Sequence, residues 1–245
     1  MNLLLIEPGE LAADGTARLT ARRAAHVSEV LRAAPGARIR VGVVGGRMGE
    51  AEVLSSEPSE LVLAPRLGGE PPPPSPVALV VAVPRPKILR RVLQAAASMG
   101  VKRILLLGTY RVEKSFFASP ALEPAAIRAE LLLGLEQGRD TILPEVSFRR
   151  LFKPFVEDEL EALFPEPARL LAHPAPAAPL LGALPGRGPR AVLAIGPEGG
   201  FTAYEAQRLE EKGFAPFSLG PRVLRVDAAV PYAVGQAEQW LRVTR

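Results

Sequence analysis

The chain has 245 residues, 48% hydrophobic and 23% charged, enough to bury one or two cores and, by length, about two domains. With no cysteine and only two histidines, His26 and His173, disulfide scaffolds, Cys-ligated zinc, thiol nucleophiles and His-rich metal centres are excluded; no metal is expected, and a reducing cytoplasm fits. The net charge of +4 permits a polyanionic partner without demanding one, since the Arg bias (only five of 30 basic residues are Lys) arises more simply from the residue usage of a high-GC genome.

The apolar start Leu3-Leu4-Leu5-Ile6 is too short for a signal peptide. Proline or charge interrupts every apolar run before it spans a bilayer, so a soluble cytoplasmic protein with no membrane partner is expected. Residues 1–66 read as a small β domain. Arg38–Val43 and Glu50–Leu54 flank a Gly45-Gly46 turn as a hairpin, and Glu60–Leu63 adds a strand. One helix is predicted from an N-cap at Thr20 to about Arg32, with Ala24, Val27, Val30 and Leu31 at helical spacing. Residues 67–76, with four consecutive prolines, form a semi-rigid linker that no helix or central strand can include.

From residue 77 to 245, strands alternate with helices, the pattern of an α/β domain with a mostly parallel sheet. Val77–Val83 is an apolar strand. A helix follows from Pro86 to Gly100, with Ile88, Leu89, Val92, Leu93, Ala96 and Met99 on one face. Further strands are Ile104–Leu107, Arg169–Ala172, Ala191–Ile195 and Pro216–Leu219. Thr202 and Glu205 make a capping box for a helix that Gly213 closes, and the last helix runs from about Pro231 to Val243.

Two loops in this half carry the most information. Ile195-Gly196-Pro197-Glu198-Gly199-Gly200-Phe201 lacks the Lys-Ser/Thr of a phosphate loop and does not fit G-x-G-x-x-G. The loosened match Gly186–Ala191 precedes a strand instead of following one, so it is rejected as a dinucleotide site. Alone, the glycine loop reads as a tight turn. The second loop, Ser218-Leu219-Gly220-Pro221-Arg222-Val223-Leu224-Arg225-Val226-Asp227, lies at the next strand end, and Leu171-Ala172-His173-Pro174 lies at a third. Small or φ-locked residues at strand ends bring backbone close to a flat ligand.

These three loops resemble the cofactor loops of SPOUT methyltransferases, and within that class the family that methylates N3 of a uridine in small-subunit ribosomal RNA (the RsmE family). His26–Arg32 followed by the Gly45-Gly46 hairpin resembles that family's N-terminal PUA-like barrel. Lys87, Met99-Gly100-Val101 and Arg111–Ser115 resemble the first helix and next loop of its catalytic domain. Three positions depart from the family's usual residues: Ser98, Glu136 at the head of Glu136-Gln137-Gly138-Arg139, and Ala228.

The resemblance implies a trefoil-knotted domain that is completed in a homodimer, with the apolar stripe containing Trp240 in the interface. It implies that Leu171, Ala172 and His173, then Ile195, Gly196, Pro197, Glu198, Gly199 and Gly200, then Ser218, Leu219, Gly220, Leu224 and Val226 hold S-adenosylmethionine. The expected reaction is methyl transfer to 16S rRNA, the expected partner, within the small ribosomal subunit. N3 of uracil must lose a proton in such a transfer, and the candidates for that chemistry are Arg225, which would stabilise the uracil oxygens, and Asp227, which would orient Arg225 or relay the proton. An Arg–Asp brace of the loop is an equally weighted reading. RNA contacts are expected from Arg22, Arg23, His26 and Arg32 of the barrel and from Arg111. The alternatives are a SPOUT enzyme acting on tRNA and a non-catalytic RNA-binding assembly factor.

Overall fold

The computed structural model describes residues 2–165, 168–173 and 188–243. Contacts divide the chain into two units, Met1–Pro73 with Leu132–Leu143, and Pro74–Leu131 with Pro144–Arg245.

In the first unit five strands form one strongly curved sheet. They are β1 (Leu4–Ile6), β2 (Ala17–Thr20), β3 (Arg38–Val43), β4 (Met48–Ser56) and β5 (Glu60–Gly69), in the order β1-β3-β4-β5-β2. Only β1 and β3 pair in parallel. Alternating residues such as Ile6, Leu19, Val41, Val53, Leu61 and Leu63 point into a shared apolar core, as period-2 patterning demands. A bulge between Met48 and Gly49 lets β4 and β5 press together. A Cβ on Gly49 would lie 1.9 Å from the Arg66 carbonyl oxygen, so only glycine fits there. The β4–β5 pairing also carries β5 through Leu67 and Gly69, into the stretch read from sequence as linker, because both pair with the start of β4.

The helix expected over 20–32 is two pieces. A short α1 (Ala21–Ala25) passes into a wider π-type turn over His26–Val30, and Thr20 makes no side-chain cap. The wider turn shifts the helical phase, so Val30 and Leu31, expected in the core, are exposed while Ala24 and Val27 stay buried. The segment Leu132–Leu143 completes this unit. The amides of Asn2 and Leu3 donate to the Glu136 carbonyl, and Thr141 exchanges hydrogen bonds with the Gly45-Gly46 turn.

The second unit is a six-stranded, wholly parallel sheet ordered β11-β9-β10-β6-β7-β8. Its strands are β6 (Val77–Ala82), β7 (Arg103–Leu107), β8 (Glu145–Arg149), β9 (Ala168–Ala172), β10 (Ala191–Ile195) and β11 (Phe214–Phe217). Central strands β6 and β10 are buried along their whole length, which is why they read as unbroken apolar runs. Helices α2 (Pro86–Ser98) and α5 (Val226–Val243) pack together, with α5 against β10 and β6. Helix α4 (Ala203–Glu211) lies by β9 and β11, and helical turns over 152–163 contribute Phe152, Phe155, Val156 and Leu160 to the core that contains Phe201, Leu209 and Phe214.

Helices α3 (Pro124–Gly138) and α5 differ from the sequence reading, and strand β8 has no counterpart in it. Helix α3 has no predicted counterpart either. Its first half groups with one unit and its last with the other, so its apolar residues follow no single stripe. Helix α5 begins five residues before Pro231, which sits inside it and not at its first turn. Its stripe is filled by the chain itself: Trp240 is 3% exposed and Val234, Ala237 and Leu241 are buried, so Trp240 is no free interface residue. No described helix is long and apolar enough to cross a membrane.

Phe155 is wholly buried, edge-on to Phe164 with ring centroids 6.4 Å apart. Phe155→Ala should therefore cost about 3–5 kcal/mol, read as a lowered urea midpoint.

Candidate ligand-binding cleft at the strand ends

A parallel sheet sends all its strands out at one edge, so loops distant in sequence meet there. Register makes the meeting exact in this chain. Ala172 of β9 pairs with both Ile195 of β10 and Phe217 of β11, so the three loops leave the sheet at one level. The His173 amide then donates to the Phe217 carbonyl, at 3.1 Å, and holds two of the loops together.

The loops line a cleft of about 670 Å³, its open mouth included. Of the expected cofactor residues, Ala172, His173, Ile195, Gly196, Pro197, Glu198, Gly200, Leu219, Gly220, Leu224 and Val226 line it. Three do not. Leu171 points into the core, Gly199 packs beside the Arg111 side chain, and the Ser218 hydroxyl folds its own loop by bonding the Gly220 amide and carbonyl. Phe201, Arg222, Val223 and Ala229 also line the cleft; the first three lie in the two loops quoted from the sequence, but none was among the expected cofactor residues. Pro174 and residues 186–187 of the rejected glycine match lie outside the described residues.

The glycines are not equivalent. A Cβ on Gly196 would lie 2.9 Å from the Phe201 nitrogen, and Gly220 has φ +111°, a conformation L side chains rarely adopt. Gly199 would meet only the flexible Arg111 side chain, at 3.2 Å. The glycine loop is braced on both flanks. The Arg85 amide donates to Glu198 Oε1 at 3.1 Å, and the Arg111 guanidinium donates to the carbonyls of Gly199 and Phe201. Arg111, expected on RNA, thus holds the loop.

Behind the loop, Glu205 accepts from the Tyr110 amide (2.8 Å), the Thr202 amide (2.9 Å) and the Thr202 hydroxyl (3.0 Å) while buried. It completes the capping box expected from sequence and ties the β7 loop to α4. Arg208 on the same helix donates to Glu157 at 2.6 Å, and that hydrogen bond holds the half-buried Glu157 carboxyl below its ordinary range. The tie therefore loosens as pH falls through that lowered value.

Arg225 and Asp227 stand beside the cleft, not on its lining. The Arg225 side chain is 71% exposed and its Nε lies 3.5 Å from Asp227. Asp227, 13% exposed, accepts from Arg91 of α2 at 3.0 Å and sits in the first turn of α5, where a carboxylate is favoured. In the barrel, Arg22 bonds Glu136, Arg23 is engaged by Glu10 and the Leu5 carbonyl, and Arg32 is exposed. His26 Nε2 is buried with no hydrogen-bond partner among the described residues.

Chemically, the cleft is an apolar slot edged with backbone. His173, Glu198 and Arg222 are its only ionisable side chains among the described residues, and no cluster there could hold a metal. Such a slot suits a flat heterocyclic ligand that brings its own reactive group.

Comparison with known proteins places this chain among RNA methyltransferases. A family model described as an RNA methyltransferase domain matches residues 71–238. A ribosomal RNA small subunit methyltransferase E from Treponema pallidum is 30% identical over 99% of this chain and 94% of its own length. A Legionella pneumophila methyltransferase solved with bound S-adenosylmethionine is 26% identical and covers 98% of each chain with a TM-score of 0.73. The fold is also that of a ribosomal RNA small subunit methyltransferase E from Neisseria gonorrhoeae, at TM-score 0.72, 20% identity and 97% of each chain.

Removing the Glu205 carboxylate strands three donors at once. Glu205→Ala should lower stability by about 2–3 kcal/mol in urea unfolding, whereas Glu210→Ala on the same helix should change it by less than about 0.5 kcal/mol.

Proposed function

The chain belongs to the ribosomal RNA small subunit methyltransferase E family, and we propose that it transfers a methyl group from S-adenosylmethionine to N3 of a uridine in 16S rRNA. The observation that carries this reading is the cleft itself, in which three strand-end loops at one register level offer backbone edges and a glycine, Gly196, whose Cβ position is already filled. That space suits a nucleoside cofactor approached by main chain. Gly196, Gly200 and Leu219–Gly220 would hold it, between the walls of Phe201, Leu224 and Val226. When bound, S-adenosylmethionine supplies an electrophilic methyl group on a sulfonium centre.

The chain's own residues then have to align the uracil ring and remove or relay the N3 proton. Arg225, exposed at the mouth, stabilises the negative charge that develops on the uracil oxygens. Asp227, clamped by Arg91, orients Arg225 from below. The knotted topology belongs to the same proposal. Its support is the return of the chain from β11, an edge strand, to α5, which packs on β10 and β6. The barrel is assigned a PUA-like role, gripping RNA backbone through exposed Arg32. Homodimerisation is proposed through the loop carrying Val223, which is 90% exposed.

Transfer of radiolabelled methyl to isolated small subunits, naked rRNA and tRNA, followed by nucleoside analysis, tests the assignment. N3-methyluridine from ribosomal substrates is expected; a labelled ribose or labelled tRNA would overturn it. Calorimetry with S-adenosylhomocysteine tests the cleft. Gly220→Val and Gly196→Ala should abolish binding in folded protein, while Gly199→Ala should leave it near wild type. The chemistry is tested by single-turnover rates. Arg225→Ala should slow transfer by about 100-fold with cofactor affinity unchanged, and an equal loss in both would make the pair a brace.

A further inference from the structure

A second cleft opens at the same edge of the sheet, on the other side of the glycine loop. With its mouth included it measures about 1390 Å³, twice the cofactor cleft. The two share one wall: Phe201 lines the first, while Thr202, Tyr204 and Glu205, directly following, line the second. The remaining walls come from the loops after β7 and β8 and from the turn at Lys114.

Its surface is unusual for a free protein face. Tyr110 is 85% exposed, Leu151 64% and Tyr204 52%, side by side on one cleft. Cations lie over two rings of the cleft, Phe117 and Tyr204. Arg150 lies over Phe117 at 5.5 Å from its centroid, and Arg208 over Tyr204 at 5.9 Å. Lys114, Arg150 and Lys153 line the cleft against a single carboxylate, Glu205, whose oxygens already accept three hydrogen bonds. Lys153 is shared with Glu157 at 4.0 Å, but neither Lys114 nor Arg150 has a carboxylate partner among the described residues. Thr109, 8% exposed on the same wall, has a hydroxyl with no described partner.

Exposed rings with cations beside them match the chemistry of single-stranded nucleic acid, in which bases stack and phosphates seek positive charge. We propose that this cleft docks unpaired nucleotides of the RNA substrate next to the target base, with Tyr110 and Tyr204 as stacking platforms and Arg150 and Lys114 as phosphate contacts. The proposal rests on the RNA methyltransferase reading of the neighbouring cleft. It gives the shared wall a double use, since the segment that shapes the cofactor loop also presents a stacking ring.

The test titrates a fluorescein-labelled single-stranded oligoribonucleotide into the full chain across a salt series. Tyr110→Ala and Tyr204→Ala should each weaken binding roughly 5- to 100-fold, and Tyr110→Phe and Tyr204→Phe should retain it. Arg150→Ala should reduce the log–log salt slope by about 0.7. S-adenosylhomocysteine affinity should be unchanged in all five variants. Wild-type affinity in both alanine variants would overturn the proposal, as would a loss of self-association with RNA binding intact, which would make the cleft an interface between copies. If the alanine variants lose oligonucleotide binding but the wild type methylates no ribosomal RNA, the cleft assignment stands and the proposed function falls.

Discussion

The carboxylate of Glu205 is the point on which the functional edge of this protein depends. One buried side chain caps helix α4, receives the backbone of Tyr110 from the loop after β7, and so fixes where the glycine loop ends. Because its three donors come from two loops, neither loop can shift without leaving a buried polar group unpaired. Arg111 acts from the same β7 loop, bonding the carbonyls of Gly199 and Phe201, and the Arg85 amide holds Glu198 from the opposite flank. Rigid backbone is what a cleft needs when its ligand is recognised by main-chain groups, since loop freedom would be lost on every binding event.

This arrangement explains why the chemistry-bearing residues are so few. The strand-end cleft is apolar and presents three ionisable side chains among the described residues, which fits the proposed reaction, whose electrophile arrives with the cofactor. The protein's task is then alignment and charge stabilisation. Arg225 and Asp227 stand beside the cleft, and the Arg91–Asp227 contact links that side of it to helix α2. Several arginines that sequence alone suggests for RNA are already engaged. Arg23 is held by Glu10 and Arg111 by loop carbonyls, so the cations left for phosphate are those without such partners.

Much of this molecule could be read from residue order. The buried strands β6 and β10, the capping box of Thr202 and Glu205, the α2 stripe and the Gly45-Gly46 hairpin are local patterns in which propensity, period and turn chemistry agree. The three strand-end loops that line the cleft were legible for the same reason: glycine and proline at strand ends are local signals. What local pattern could not carry was anything set by partners distant in the chain. Helix α3 serves both units and shows no stripe; the turn at His26–Val30 widens and exposes Val30 and Leu31; Trp240 is buried within the single chain. Likewise, only packing distinguishes Gly196, which has Phe201 backbone against it, from Gly199, which has a movable Arg111 side chain. The aromatic cleft is the extreme case. Tyr110, Arg150 and Tyr204 are spread over nearly a hundred residues, and only the parallel sheet, by releasing its strands at one edge, makes them neighbours.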